Sequence, residues 1–381
     1  MIKTSTSQPR VLHSAALLRP PSGILNQMQW EQEAAQQLNL PWKTVMYCPD
    51  QSTRPNDITH FDHRINTNTE AGNSLSKKVS NWVKLRRNYH LWLNSQLDDY
   101  DIFLLRYYVH DPYQWNFVKN FPKPVYFVHH TLEVPELAMP KTLGALFRAG
   151  LETLIGKNTI DYAQGVIAVT DEILKYEKSR VRNVSENNFI YANGIRYSSE
   201  FPVIDDKRAE KTPEILFIAS GFSAWHGLDL LIQETKNTNE DFLLHLVGEV
   251  PSAIQHIIKN DKRVVQHGLM KQADVLELSK KCWLGLSSFA LHRKNMNQAC
   301  TLKVREYLMM GLPVYAGYQD VFPSSFPYFK KGICNIDKIL EFAKSMRLEQ
   351  KNRVSLLSKA YIDKKVLLKS IYDQLIKSIQ C

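Results

Sequence analysis

The sequence predicts an α/β protein made of two series of parallel strands joined by helices. Three observations carry this. Short apolar runs rich in β-branched and aromatic residues recur along the chain, longer amphipathic segments separate them, and one polar stretch without sustained periodicity divides the runs into two sets.

In the first set, strands are expected near Arg10–Leu18 (RVLHSAALL), Thr44–Tyr47 (TVMY), Ile102–Tyr107 (IFLLRY), Val125–Val128 (VYFV), Gly165–Val169 (GVIAV) and Phe189–Tyr191 (FIY). In the second they are expected at Ile215–Ala219, Leu243–Val247, Val264–Gln266, Trp283–Ser287 and Pro313–Ala316. Strands covered on both faces read as continuous apolar runs, and these runs are too short for helices. Between the sets lies RYSSEFPVIDDKRAEKTPE, Arg196 to Glu214, polar and broken by two prolines, and it is read as the domain boundary. The expected organisation is an N-terminal domain over 1–200, a second domain over 201–360, and a C-terminal amphipathic helix over 361–381 that packs back on the first. No repeat of fixed period and no low-complexity tract occurs, which argues against solenoids and propellers.

The 381 residues are 44% hydrophobic and 23% charged, the composition of a folded globular chain, not a disordered or fibrous one. Forty-eight Lys and Arg against 38 Asp and Glu give a net charge of +10, which favours anionic partners: phosphorylated ligands, acidic membrane surfaces or nucleic acid. The five cysteines are scattered without a C-x-x-C pair, so neither a disulfide framework nor a zinc site is expected, and a reducing compartment fits. The polar start MIKTSTSQPR and the short run VLHSAALL, closed by Arg19-Pro20-Pro21, do not read as a signal peptide. No apolar run approaches the ~20 residues of a membrane span.

Ligands of open parallel sheets bind beyond the carboxyl ends of the strands, where helix N-termini offer free N–H groups to phosphate. Two segments fit. ILFIASGFSAWHGLDLLIQE (215–234) reads as strand, glycine loop and helix, although an ordinary βα turn has the same pattern. In QACTLKVREYLMMGLPVYAG (298–317) a helix about ten residues long is expected from Thr301, ended by Gly311. Lys303 and Arg305 fall in its first turn, where cations oppose the helix dipole by roughly 0.3–1 kcal/mol each and a bound anion reverses that cost. Glu306, three residues after Lys303, can accept two hydroxyl hydrogen bonds, as a ribose diol requires; a solvated ion pair is the plain alternative.

The run LKVREYLMMGLPV, preceded by LSSFALHRKNMNQAC, resembles the donor-site signature of family 4 glycosyltransferases of the bacterial surface-polysaccharide type. Further segments fall in the matching order. SGFSAWHGLDLL is similar to the phosphate loop, LLHLVGE to the next strand, VVQHGLM to the loop beside the base, VIAVTDEI and NNFIYANGI to the end of the first domain, and VYFVHHTLEVPEL to the strand whose trailing histidine approaches the transferred sugar. The resemblance spans roughly 11–320. It implies a GT-B fold, two Rossmann-like βαβ domains facing each other across a cleft, and transfer of a sugar from a UDP- or GDP-sugar to a saccharide or lipid-linked saccharide, with retention.

The resemblance also implies the site. Lys303 and the loop from Gly221 through Phe222 and Ser223 to His226 would hold the diphosphate, Glu306 the ribose, and Gly248, Gln298, Thr301 and Leu302 would complete the donor site. The family carries paired glutamates eight positions apart; here the first position is Gln298. His129 or His130 would meet the sugar as catalytic residues beside Lys303. Neighbours on an extended segment point opposite ways, so one of the two faces the ligand, with His130 favoured. Ser22, Gly23, Arg106 and Glu133 would bind the acceptor. No cofactor or metal is expected, the nucleotide sugar being a substrate. Asp99-Tyr100-Asp101 has the D-x-D pattern of a metal motif, but two carboxylates are few for an oxygen-only site. Ser76–Leu93 (SKKVSNWVKLRRNYHLWL) mixes basic residues with two tryptophans and reads either as a helix packed by its apolar stripe or as a contact with anionic membrane. The expected setting is cytoplasmic, peripheral on the inner face of the cytoplasmic membrane, with no nucleic-acid partner. Three alternatives stay open: a sugar-nucleotide epimerase or hydrolase on the same fold, a non-catalytic basic binding protein, and an inactive donor-binding subunit.

Overall fold

The computed structural model describes residues 8–49, 57–65, 75–182, 185–197 and 205–380. The chain forms two compact units, 1–192 together with 364–381, and 193–363. Arg196 and Tyr197, which the sequence placed in the boundary stretch, thus belong to the second unit.

The first unit is a seven-stranded parallel sheet of β1 (Val11–Ala16), β2 (Trp42–Pro49), β3 (Thr59–Asp62), β4 (Ile102–Arg106), β5 (Val125–His129), β6 (Gly165–Ala168) and β7 (Phe189–Ile190). Its order is β3-β2-β1-β4-β5-β6-β7. Pairing is in register, Val11 against Trp42 on one side of β1 and against Ile102 on the other. The pleat sorts side chains between two cores: Leu12, Phe103, Leu105 and Phe127 enter one, and Val11, Ile102, Leu104, Tyr126 and Val128 the other. That second core is closed by the helix Lys364–Gln380, whose Leu368, Ile371, Tyr372 and Leu375 are buried with Ala34, Ala35 and Trp42.

A buried carboxylate ties these pieces together. Glu31 accepts from Trp42 Nε1 (3.0 Å) and the Tyr191 hydroxyl (2.8 Å), lies 2.5 Å from His13 Nδ1, and has Lys364 Nζ at 3.9 Å. Burial by itself raises its pKa; His13, Lys364 and Tyr191 outweigh that and bring it down to about 2.

The second unit is a six-stranded parallel sheet, β10-β9-β8-β11-β12-β13, made of β8 (Glu214–Gly221), β9 (Leu243–Glu249), β10 (Val264–Gly268), β11 (Leu284–Leu286), β12 (Val314–Ala316) and β13 (Phe329–Lys331). In both sheets the chain builds outward from one strand, then returns to that strand's other side: β4 beside β1, β11 beside β8. These reversals are the topological switch points where ligand crevices form in open parallel sheets.

β3 and β13, absent from the sequence reading, are short edge strands, THFD and FKK, with too few apolar residues to stand out. The helix Leu75–Ser95 places Leu85, Tyr89 and Leu93 in the core. Its Trp92 packs on Tyr47 and Tyr89, its Trp82 meets Tyr113 edge-on, and both tryptophans are half-buried.

Candidate active site

At the switch point of the second unit, β8 runs into a 3-10 turn, Ala224–His226, and then into the helix Leu228–Thr235. Two glycines make the loop possible. Gly227 has φ +72°, and a Cβ there would press to 3.0 Å on Phe289 and Ala290 of the segment after β11. Gly248, at the end of β9 with φ +120°, lies so close to β8 that a Cβ would fall 1.6 Å from the Ala219 carbonyl oxygen. The turn is fastened by Arg293, which donates to the Ala224 carbonyl (2.7 Å) and pairs with Asp229 (2.7 Å).

His226 is buried, and its Nδ1 accepts the Ser223 amide at 2.9 Å. Burial first, then the charge of Lys303, lowers its pKa to about 3. The imidazole is therefore neutral with its proton on Nε2, a single hydrogen-bond donor at the loop. Phe222 is buried, with its amide bonded to the Glu249 carbonyl, while a Cβ at Gly221 would only touch the Glu249 side chain at 3.9 Å and Ser223 is exposed.

The helix Leu302–Met309 begins beside this loop. It is eight residues long, shorter than the expected ten, and Gly311 past its end has φ +72°. Thr301 is its N-cap without capping it: the hydroxyl is engaged by Tyr318 (3.1 Å), which also bonds Ser287 (2.8 Å). The first-turn N–H groups are left without a side-chain acceptor. Within that turn Lys303 Nζ is shut off from solvent, lies 5.6 Å from the ring centre of Phe217 and 5.8 Å from that of Trp225, and has no hydrogen-bond partner among the described residues. Burial depresses its pKa to about 7, opposed only by Glu306. Glu306 is half-buried, and burial raises its carboxyl while Lys303 lowers it. Leu302 and Gln298 are half-buried nearby, Gln298 in a parallel bridge with Gln319.

Arg305, the other cation of that turn, is committed to an ion pair. It is fully buried, both its terminal nitrogens meet Asp320 at 2.6 Å, and its Nε donates to the Asn193 carbonyl at 3.1 Å. That ion pair leaves Lys303 as the unpaired cation of the turn. Sequence reasoning passed over Arg293, Lys294 and the ring of Trp225, over which Lys294 also sits at 5.3 Å. Their signal was the basic run LHRKN just ahead of the helix.

At the end of β5 the two histidines separate as the strand's alternation requires, His130 exposed and His129 wholly enclosed. His129 stacks on Tyr107 at 4.3 Å, with its Nδ1 3.0 Å from Glu133 and 3.7 Å from Glu177; burial keeps it neutral, with a pKa near 4. Behind them Arg180 pairs with Glu177 (2.7 Å) and Glu152 (2.5 Å), and Tyr107 donates to Glu152 (2.6 Å). His129 and Glu133, read from the sequence as ligand contacts, are thus both buried and engaged with each other, Glu133 being the first residue of the helix Glu133–Ala138 that follows β5. Arg106, ending β4, is half-buried. Ser22 and Gly23 are exposed at the start of the helix Ser22–Gln37, after β1, with no side chain capping it.

His129, Glu133 and Glu177 are the one set among the described residues whose ligand atoms lie within 4.8 Å of one another. Arg180 already balances Glu177, and burial raises the pKa of both Glu133 and Glu177, so a proton held between the carboxyls accounts for the arrangement. Asp101 of the D-x-D pattern accepts from the Arg10 amide (2.8 Å) and faces Lys123 (3.4 Å).

No family model and no curated protein matches the sequence. Solved structures do match the fold. Sucrose-phosphate synthase from Thermosynechococcus elongatus superposes with a TM-score of 0.65 at 15% identity, covering 97% of this chain and 99% of that one. Anabaena HepE, solved in complex with UDP and glucose, gives 0.59 at 14% identity over 97% and 100%. The catalytic domain of starch synthase IV from Arabidopsis thaliana, bound to ADP and acarbose, gives 0.59 at 13% over 98% and 100%. The fold is that of GT-B glycosyltransferases.

Proposed function

We propose that the protein is a glycosyltransferase of family 4 type that moves a sugar from a UDP- or GDP-sugar to a hydroxyl of a saccharide or lipid-linked saccharide, with retention, in surface-polysaccharide or glycolipid synthesis. The observation that carries this is the Lys303 ammonium, buried without a partner at the uncapped start of a helix beside a glycine loop. An unpaired buried cation is costly unless an anion joins it. A diphosphate fits, meeting the lysine, the helix N–H groups and the His226 Nε2–H together. The ligands named for the matched structures, UDP with glucose and ADP with acarbose, agree with a nucleotide in this fold.

In the proposed reaction the bond from the anomeric carbon to the diphosphate oxygen breaks, and the electron pair leaves with the diphosphate. The acceptor oxygen bonds to the same face of that carbon, and its proton passes to the departing phosphate oxygen. Lys303 and the helix N-terminus stabilise the charge as it builds, in a site from which water is excluded. Glu306 holds the ribose, and Gln298 meets sugar hydroxyls as a neutral group. His130, Arg106, Ser22 and Gly23 remain the acceptor-side candidates of the first unit. No metal is assigned a step.

Calorimetric titration of UDP and GDP into wild type and Lys303→Ala, with and without manganese, tests the reading. Binding of one nucleotide without metal, lost in the variant while the nucleoside binds as before, is the expected result. Failure of both nucleotides to bind wild type would return the weight to a non-catalytic role.

A further inference from the structure

We infer that the helix Leu143–Asp161 is a docking surface for an anionic lipid bilayer, so that the acceptor is a lipid-linked saccharide met at the membrane. Its inner face, Ala145, Ala149, Glu152, Gly156 and Ile160, is buried against the first unit. Its outer face is apolar yet left exposed by the described residues. Leu143 is 88% exposed, Phe147 and Leu154 each 67% and Leu146 50%. Leu143, Phe147 and Leu154 follow one another at four and seven residues, a single helical stripe about 16 Å long at 1.5 Å per residue.

The surroundings select the occupant. Lys141 and Arg148 are exposed beside the stripe and Lys157 half-exposed. From Met139 to Ile160 the only acidic residue is Glu152, which is fully buried in the network behind the helix. Asp161, at the helix end, accepts the Arg182 amide. An apolar stripe rimmed by cations and free of exposed carboxylates complements acyl chains beneath anionic headgroups. A second copy of this face would bring the same cations together across a two-fold axis, which disfavours self-association. In Ser76–Leu93, where the sequence suggested a membrane contact, both tryptophans are half-buried and in contact with tyrosine rings of the first unit.

Position gives the surface its use. The segment leaves β5 at His129 and His130, passes through the short helix Glu133–Ala138 and enters the stripe at Leu143, so the stripe is tethered directly to the proposed acceptor side of the sheet. The choice of acceptor rests on the transferase reading; vesicle binding does not.

The test is co-sedimentation of the full chain with phosphatidylcholine vesicles, with and without phosphatidylglycerol, for wild type and for the triple variant Leu143→Ser, Phe147→Ser, Leu154→Ser. Wild type is expected in the vesicle pellet, at least about tenfold more with phosphatidylglycerol, and the variant in the supernatant. Near-UV circular dichroism and the melting transition of the first unit, measured without vesicles, report folding of the variant; absence of UDP binding by wild type would count against the transferase reading alone. Phe147→Trp gives a second readout, a blue-shifted emission on vesicles. Wild type that stays in solution, a variant that pellets equally, an unshifted tryptophan, or a wild-type dimer that the variant dissociates would each overturn the inference.

Discussion

Lys303→Met keeps the aliphatic length of the side chain and removes its charge, separating what the ammonium costs the free protein from what it gives a ligand. In the unfolded chain the lysine titrates near 10.5, and in the folded protein burial brings it to about 7. Because the folded pKa is the lower one, protonation favours unfolding. The penalty is absent above pH 10.5, grows as pH falls, and is complete below about 7, where it approaches roughly 5 kcal/mol. The methionine variant should therefore be more stable than wild type by about 2–5 kcal/mol at neutral pH, read as a shift of the second unit's transition by scanning calorimetry, with the gain vanishing towards pH 10. The same variant should bind a nucleoside diphosphate sugar at least about thirtyfold more weakly, since truncating one side of a buried charge contact costs 2–5 kcal/mol. In wild type that affinity should be constant below pH 7 and fall up to about tenfold per unit above it, as the ligand must then recruit a proton. A variant less stable than wild type, or one that binds the nucleotide sugar equally well, would refute the reasoning.

Two further outcomes follow from the ion networks. Asp320→Asn leaves the Arg305 guanidinium buried without its counter-charge and should destabilise the second unit by about 3–5 kcal/mol in urea unfolding; a loss below about 1 kcal/mol would deny the pair its structural role. In the first unit, burial raises the pKa of Glu133 and Glu177, so the fold holds a proton that the unfolded chain releases near pH 4.5, and stability should decline as pH rises beyond that value. Glu177→Gln, permanently uncharged, should flatten that decline in melting curves from pH 5 to 9, and an unchanged slope would place the proton elsewhere.

Local signals made the donor side readable. The strand, glycine loop and helix of 215–234 and the pair Lys303 and Glu306 are consecutive or three apart, so periodicity alone puts them at one strand end and on one helix face. The burial of Arg305 was not legible for the opposite reason: its partner Asp320 lies fifteen residues on, after β12, and nothing local marks a guanidinium in the first turn as buried. The same distance hid the network around His129. Alternation could say that one of His129 and His130 turns inward, but Glu152, Glu177 and Arg180, which give the inward ring its surroundings, come from helices twenty to fifty residues away. The edge strands went unseen because a strand with one neighbour needs few apolar residues, and Thr59–Asp62 instead supplies Asp62 to Tyr47, Arg64 and Asn88.

The return of the helix Lys364–Gln380 to the first unit orders the chain in time during synthesis. The chain leaves that unit after Ala192 and re-enters it at Lys364, so everything the second unit needs is a continuous stretch of 171 residues, 193–363. A ribosome delivering residues from the N-terminus completes the second unit while the first still has Trp42, Ala34 and Ala35 without their cover and Glu31 without Lys364. The unit that starts first is finished last, and until its final helix arrives the nascent chain carries an open apolar face, the kind of surface that chaperones recognise.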